Sequence, residues 1–253
     1  MKIGIIGFGN LGRALASGLV KSHSVGKGDI YVCEKSPEAL AIAAKEPYHA
    51  HASEDVNFAI GNSDLIFLTV KSYVFEELSS HIDRNMLAGR TVVSFMAGMA
   101  FEKLSPLVGD AALVRAMPSL AIASCDGVIG YTKSPPEVAD VFHKLGYAFE
   151  TDADDIEKVM AFSSCGLGFA AYLIDAFASA GQTMGFSPET SSVIAAMTFK
   201  NAVDRGDFRD TVKAVATPGG ATEQGITHME RCGIPEIVAG AVNKAYVRMT
   251  SGS

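Results

Sequence analysis

Cysteine is scarce: Cys33, Cys125, Cys165 and Cys232 are the four in 253 residues. They lie far apart, with no Cys-x-x-Cys pair and no zinc spacing, so reduced thiols in a cytosolic protein are expected. Positive charge is also short. Lys and Arg number 21 against 28 Asp and Glu, for a formal net charge of −7. That argues against general nucleic-acid binding and against docking on anionic membranes. It leaves room for a phosphate-bearing cofactor, because backbone amides bind phosphate without a basic surface. No stretch reads as long enough for a membrane span, and the apolar run Ile3–Ile6 is too short for a signal peptide. Internal repeats and low-complexity tracts are missing. The expectation is a cytoplasmic protein with neither a membrane nor a nucleic-acid partner.

What is present is apolar material, 48% of the chain, enough for one large or two smaller cores. In the first half, short apolar runs alternate with helical patterns. Strands are predicted at Lys2–Ile6, Ile30–Cys33, Leu65–Val70, Thr91–Phe95 and Leu113–Ala116. Helices are predicted at Leu11–Lys21, Pro37–Lys45, Tyr73–Ile82 and Phe101–Leu107. Alternation of this kind specifies a parallel sheet with helical crossovers. "DLIFLTV" is apolar on both faces, as a strand covered on both sides must be. A further strand, helix and strand fill Gly127–Glu150.

From Asp155 onward no strand is predicted. "IEKVMAFSSCGLGFAAYLIDAFASAGQTMGF" reads as a helix, a small-residue turn and a long apolar helix. Helices follow at Ser187–Val203, Asp207–Val215, Thr222–Cys232 and Pro235–Met249. The reading is an α/β chain: a doubly wound parallel sheet over residues 1–152, then an all-helical domain over residues 153–253. The helical part is suited to packing on itself or on a second copy.

The strongest local motif is "KIGIIGFGNLG". Gly7, Gly9 and Gly12 form Gly-x-Gly-x-x-Gly between a strand and a helix. Gly7 permits the tight turn, Gly9 lets a pyrophosphate approach, and Gly12 lets the helix pack closely. The helix N-terminus adds unpaired N–H groups and partial positive charge. Glu34 ends the second strand, where an acidic residue binds ribose hydroxyls. It favours NADH, whereas Lys35 and Ser36 beside it favour the 2′-phosphate of NADPH, and both cofactors stay open.

Other polar clusters carry less. His49 and His51 lack a third ligand at metal spacing, and read as a surface edge leading into a helix. Asp152–Lys158 lacks the glycine and closing Glu of a calcium loop, and reads as a solvated helix start. No metal is expected. In "ATPGGATEQG", Pro218 removes a donor while Gly219 and Gly220 free the backbone. Thr222 then stands where a helix begins, which by residue preference alone makes it an N-cap.

Six stretches, in order, resemble the pyrroline-5-carboxylate reductase family. They are "GFGNLG" at Gly7–Gly12, "LTVK" at Leu68–Lys71, "SFMAG" at Ser94–Gly98, "VRAMP" at Val114–Pro118, "CDGVIGY" at Cys125–Tyr131 and "TPGGATEQG" at Thr217–Gly225. The resemblance implies a Rossmann domain followed by a helical domain that dimerises. It also implies hydride transfer from NADPH or NADH to the C=N carbon of a cyclic imino acid, giving proline, in a homodimer or an oligomer of dimers. Gly7, Phe8, Gly9, Asn10, Leu11 and Gly12 would hold the pyrophosphate. Val70 and Lys71 would line the cofactor cleft, with Met96 and Ala97 on the nicotinamide side. Thr217, Gly219, Gly220, Ala221 and Thr222 would hold the substrate carboxylate, and Thr222 would give a proton to the imine nitrogen.

The chain departs from the family pattern at Ser72, Ser119, Leu167 and Glu223, and Asn57 stands one position from the expected cofactor-contacting asparagine. These departures keep two other classes in view: a reductase of another imine, and a nucleotide-binding regulator without turnover. A β-hydroxy acid enzyme is disfavoured, because "GLGFAAYLIDAFASAG" has no lysine.

Overall fold

A computed structural model describes residues 1–251. It divides into two compact units: Met1–Ser164 with the chain end from Tyr246, and Cys165–Ala245. The first unit is built on one eight-stranded sheet. Its strands are β1 (Ile3–Ile6), β2 (Ile30–Cys33), β3 (His51–Ser53), β4 (Leu65–Leu68), β5 (Thr91–Ser94), β6 (Ala112–Pro118), β7 (Gly127–Tyr131) and β8 (Gly146–Glu150). They lie in the order β3-β2-β1-β4-β5-β6-β7-β8. Helices α1 (Asn10–Lys21), α2 (Pro37–Ala43), α3 (Val56–Gly61), α4 (Ser72–Ser79), α5 (Phe101–Val108) and α6 (Pro136–Leu145) connect them. Every residue of β1, β2 and β4 is buried, as expected of parallel strands under helices on both faces.

The expected doubly wound sheet is present, with one difference. The β6–β7 pair is antiparallel. Only a turn around Leu120–Ser124 joins these strands, which is too short for the crossover a parallel pair needs. Strand β3 and helix α3 carry no predicted range, for β3 is three residues long and gives no readable alternation. As read from "HAHASED", it is an edge strand that leads into a helix. His51 stacks on Tyr31 at 4.9 Å between ring centroids.

The helical segments are α7 (Ile156–Val159), α8 (Cys165–Thr183), α9 (Pro188–Asp204), α10 (Phe208–Val215), α11 (Ala221–Arg231) and α12 (Ile234–Thr250). Two expectations are corrected here. The small-residue turn expected at Cys165–Gly168 is helix, joined to α7 by a π-helical turn at Met160–Ser164. Glycine weakens a helix, but unlike proline it keeps its donor. In consequence Ala153–Thr183 runs as 31 helical residues, long and apolar enough to cross a membrane by length and composition. The expectation that no stretch reaches that length therefore fails.

The acidic cluster at Asp152–Lys158 is only partly a solvated face. Lys158 pairs with Asp155 at the surface, but Glu157 is buried and pairs with Arg115 of β6. Arg115 is 1% exposed, and its backbone N–H donates to Thr132 Oγ1 at 3.0 Å. The pair fastens α7 to the sheet. Removing one member strands the other charge away from water. Glu157→Ala is expected to cost about 3–5 kcal/mol, read by urea unfolding. A Glu157→Ala midpoint equal to that of the parent would show that Arg115 needs no partner.

Candidate active site

The strand order switches between the parallel neighbours β1 and β4, and open α/β sheets bind ligands at the carboxyl ends of the strands beside such a switch. The fingerprint glycines lie there, and the space around each differs. Gly7 has φ +98°, and a Cβ on it would stand 2.6 Å from Val70 Cγ1. A Cβ on Gly12 would stand 2.1 Å from the Gly7 carbonyl oxygen, so only glycine lets α1 sit this close to the turn. Gly9 has nothing within 4 Å of its Cβ position and is exposed. A neighbourhood open at Gly9 and filled at Gly7 and Gly12 fits a pyrophosphate laid over the turn at the helix N-terminus. Asn10 and Leu11 form the first turn of α1, which has no side-chain cap.

The loop after β4 closes against this turn. Thr69 Oγ1 donates to the carbonyls of Ile6 at 3.0 Å and Gly7 at 2.6 Å. Val70 is half-buried and Lys71 exposed. Past β5, Met96 is buried and Ala97 half-buried, and the Met96 N–H donates to Ser94 Oγ at 3.3 Å. All the predicted cofactor residues therefore follow the carboxyl ends of β1, β2, β4 and β5.

At the end of β2, Glu34 accepts three backbone N–H groups. Phe8 donates to Oε2 at 2.7 Å, while Lys35 and Ser36 donate to Oε1 at 2.8 and 3.1 Å. Cys33, just before it, is no nucleophile: burial, and then the charges of Glu34 and Asp55, push its thiol up to about 11. Ser36 caps α2 by accepting the Ala39 N–H, and Lys35 Nζ lies 3.7 Å from Glu77 Oε1. Asn57 braces two loops, donating to the His81 carbonyl and accepting the Asp83 N–H, both at 2.8 Å.

The second predicted cluster lies in the other unit, at the start of α11. Gly220, not Thr222, holds the N-cap position, without a side-chain cap bond. Thr222 falls one residue inside the helix and is exposed, so the plain cap reading of its hydroxyl does not hold. Two of the expected amide donors are engaged inside the turn. Gly219 N–H donates to Glu223 Oε2 at 2.7 Å, and Gly220 N–H to the Thr217 carbonyl at 2.9 Å. The helix ladder opens with Gln224 N–H on the Gly220 carbonyl, so Ala221, Thr222 and Glu223 keep the orphan donors of a first turn. Glu223 thus points back into the turn it follows.

Residues 2–98 match the family described as NADP oxidoreductase, coenzyme F420-dependent, and residues 153–251 match pyrroline-5-carboxylate reductase dimerisation. The pyrroline-5-carboxylate reductase of Aquifex aeolicus (strain VF5) is 30% identical over 257 residues, covering 96% of this chain and 94% of the relative. This chain belongs to the pyrroline-5-carboxylate reductase family. The Escherichia coli (strain K12) member is 28% identical over 256 residues, with 96% and 95% covered. The fold extends further. The crystal structure of the Plasmodium falciparum pyrroline carboxylate reductase with NADP bound covers 100% of this chain and 98% of its own, with a TM-score of 0.89 and 23% identity.

Against that family pattern, Ser119 has a structural reason: its Oγ accepts the Val128 N–H at 3.1 Å and holds the β6–β7 turn. Leu167 is an exposed residue of α8. The sequence reading missed the Thr69 tie and the Phe8–Glu34 bond. Neither a threonine after an apolar strand nor a loop amide advertises a partner.

The glycines separate folding from binding. Gly9 has extended backbone angles and open space, so Gly9→Ala is expected to melt like the parent yet bind nicotinamide nucleotide about tenfold more weakly or worse. Gly12→Ala forces backbone apart and is expected to lose about 1–3 kcal/mol of stability along with binding. Calorimetry and nucleotide titration read both effects. Equal nucleotide affinity in Gly9→Ala and parent would remove the fingerprint from the site.

Proposed function

We infer that this protein is a pyrroline-5-carboxylate reductase, which reduces the C=N bond of 1-pyrroline-5-carboxylate with NADPH or NADH to give L-proline. The observation that carries this reading is the near full-length relationship to that family, together with glycines whose surroundings suit a bound pyrophosphate. The nicotinamide cofactor, when bound, supplies the hydride to carbon. Imine, reduced cofactor and one proton give amine and oxidised cofactor, so the chain has only to bind, align and protonate.

On this reading the amides of Gly7–Gly12 and the N-terminus of α1 hold the pyrophosphate, with Glu34, Lys35 and Ser36 at the ribose. Val70, Lys71, Met96 and Ala97 flank the nicotinamide. The orphan N–H groups of Ala221, Thr222 and Glu223 face the substrate carboxylate, an anion at a helix N-terminus. Thr217, Gly219 and Gly220 shape that turn, which Glu223 braces through the Gly219 N–H. The hydroxyl of Thr222 gives the proton to the imine nitrogen, and positioning supplies much of the rate.

The helical unit supports assembly of copies. Among its described residues only Ala178, Ser191 and Ala195 are buried, while Tyr172, Phe177, Met184 and Phe186 are exposed. Three small buried residues give no core of useful size. Matching sequence to a dimerisation family, this unit belongs to a homo-oligomer, and we propose a homodimer as its building block. The four free cysteines suit a reducing compartment such as the cytoplasm.

The test is turnover of 1-pyrroline-5-carboxylate with each nucleotide. Consumption of NADPH or NADH is expected. Nucleotide binding without turnover would favour a regulator, and turnover of a different cyclic imine alone would favour a related reductase. Thr222→Ala is expected to lower kcat about 10²-fold or more, in the range of a lost general acid, with unchanged melting because Gly220 holds the cap. Full activity in that variant would take Thr222 out of the chemistry.

A further inference from the structure

The carboxylate of Glu34 is already committed to the loop around it. Oε1 takes two N–H donors and Oε2 takes one. A carboxylate has about four acceptor positions and no donor, so one position remains, on Oε2, beside the Phe8 amide of the fingerprint turn. The group that completes it must be a donor. A ribose 2′-hydroxyl is one. A 2′-phosphate is not: it carries acceptors only, with about 1.5 to 2 negative charges at neutral pH as in other phosphate monoesters.

The backbone donors nearest the carboxylate do not offset that repulsion. The amides of Lys35 and Ser36 point at Glu34 itself. Lys35 Nζ is 3.7 Å from Glu77 Oε1. Arg13, on the fingerprint helix, gives its Nε to the Phe8 carbonyl at 3.0 Å.

We propose that Glu34 makes this enzyme selective for NADH over NADPH, by accepting the 2′-hydroxyl of the adenosine ribose and excluding a 2′-phosphate. The assignment rests on the nucleotide-binding reading given above, and it separates this chain from the Plasmodium falciparum relative crystallised with NADP. Glu34 is then a specificity-determining residue that also braces the loop. Neutralising it removes the repulsion: glutamine keeps one acceptor oxygen for the loop N–H groups and alanine keeps none.

The experiment is direct titration of the full-length protein with NADH and with NADPH, followed by fluorescence, for the parent, Glu34→Gln and Glu34→Ala. The parent is expected to bind NADH about tenfold or more tightly than NADPH. Both variants are expected to shrink that ratio about tenfold, with the gain on the NADPH side. Equal or tighter NADPH binding by the parent overturns the proposal, and so does a ratio that neither variant alters. The same samples are assayed with 1-pyrroline-5-carboxylate. A nucleotide preference that moves with Glu34 in protein without imine turnover sinks the reductase reading and sustains this one. Turnover without a preference does the reverse.

Discussion

Helix α1 can start where it does because Gly12 has no side chain. A single Cβ at that position would sit 2.1 Å from a backbone oxygen of the turn, and no rotamer relieves a clash with backbone. The absence of one carbon sets the distance between the first strand and the first helix. It therefore sets where the helix N-terminus delivers its unpaired donors. The loop after β4 is then pinned to the same turn through Thr69, so the neighbouring strand's carboxyl end acquires a fixed place. The nucleotide end of the site inherits its geometry from this one close approach.

Two carboxylates share a manner of working in a chain with a net charge of −7. Glu34 gathers three amides and Glu223 one. Each sits beside a glycine turn read as an anion-binding feature, and each uses part of that turn's donor capacity. What remains is a single acceptor position at Glu34 and, at α11, the first-turn amides. At both turns the donors on offer are backbone amides rather than basic side chains, in keeping with an acidic chain.

The sheet was legible because both-face burial writes continuous apolar runs, as in Ile3–Ile6 and Leu65–Leu68. The fingerprint was legible because each glycine answers a separate steric demand. The antiparallel β6–β7 pair was not, since strand direction leaves no mark on residue type and only the short connecting turn reveals it. The helical run through Cys165–Gly168 was misread because glycines look like a turn while permitting helix. Glu157 passed as one more surface acid, as its partner Arg115 is 42 positions away in sequence. At "ATPGGATEQG" the residue types announced a helix start, but the register of the cap, one residue either way, is decided by backbone angles that the residue names do not carry.

The helical unit's few buried residues have a thermodynamic consequence. Ala178, Ser191 and Ala195 anchor too little apolar area to hold a unit of that size by themselves. If copies supply the missing core for one another, folding there is coupled to association by mass action. Stability then ceases to be a constant of the sequence. Under that coupling its melting temperature becomes a function of protomer concentration, and dilution acts on it as a denaturant would.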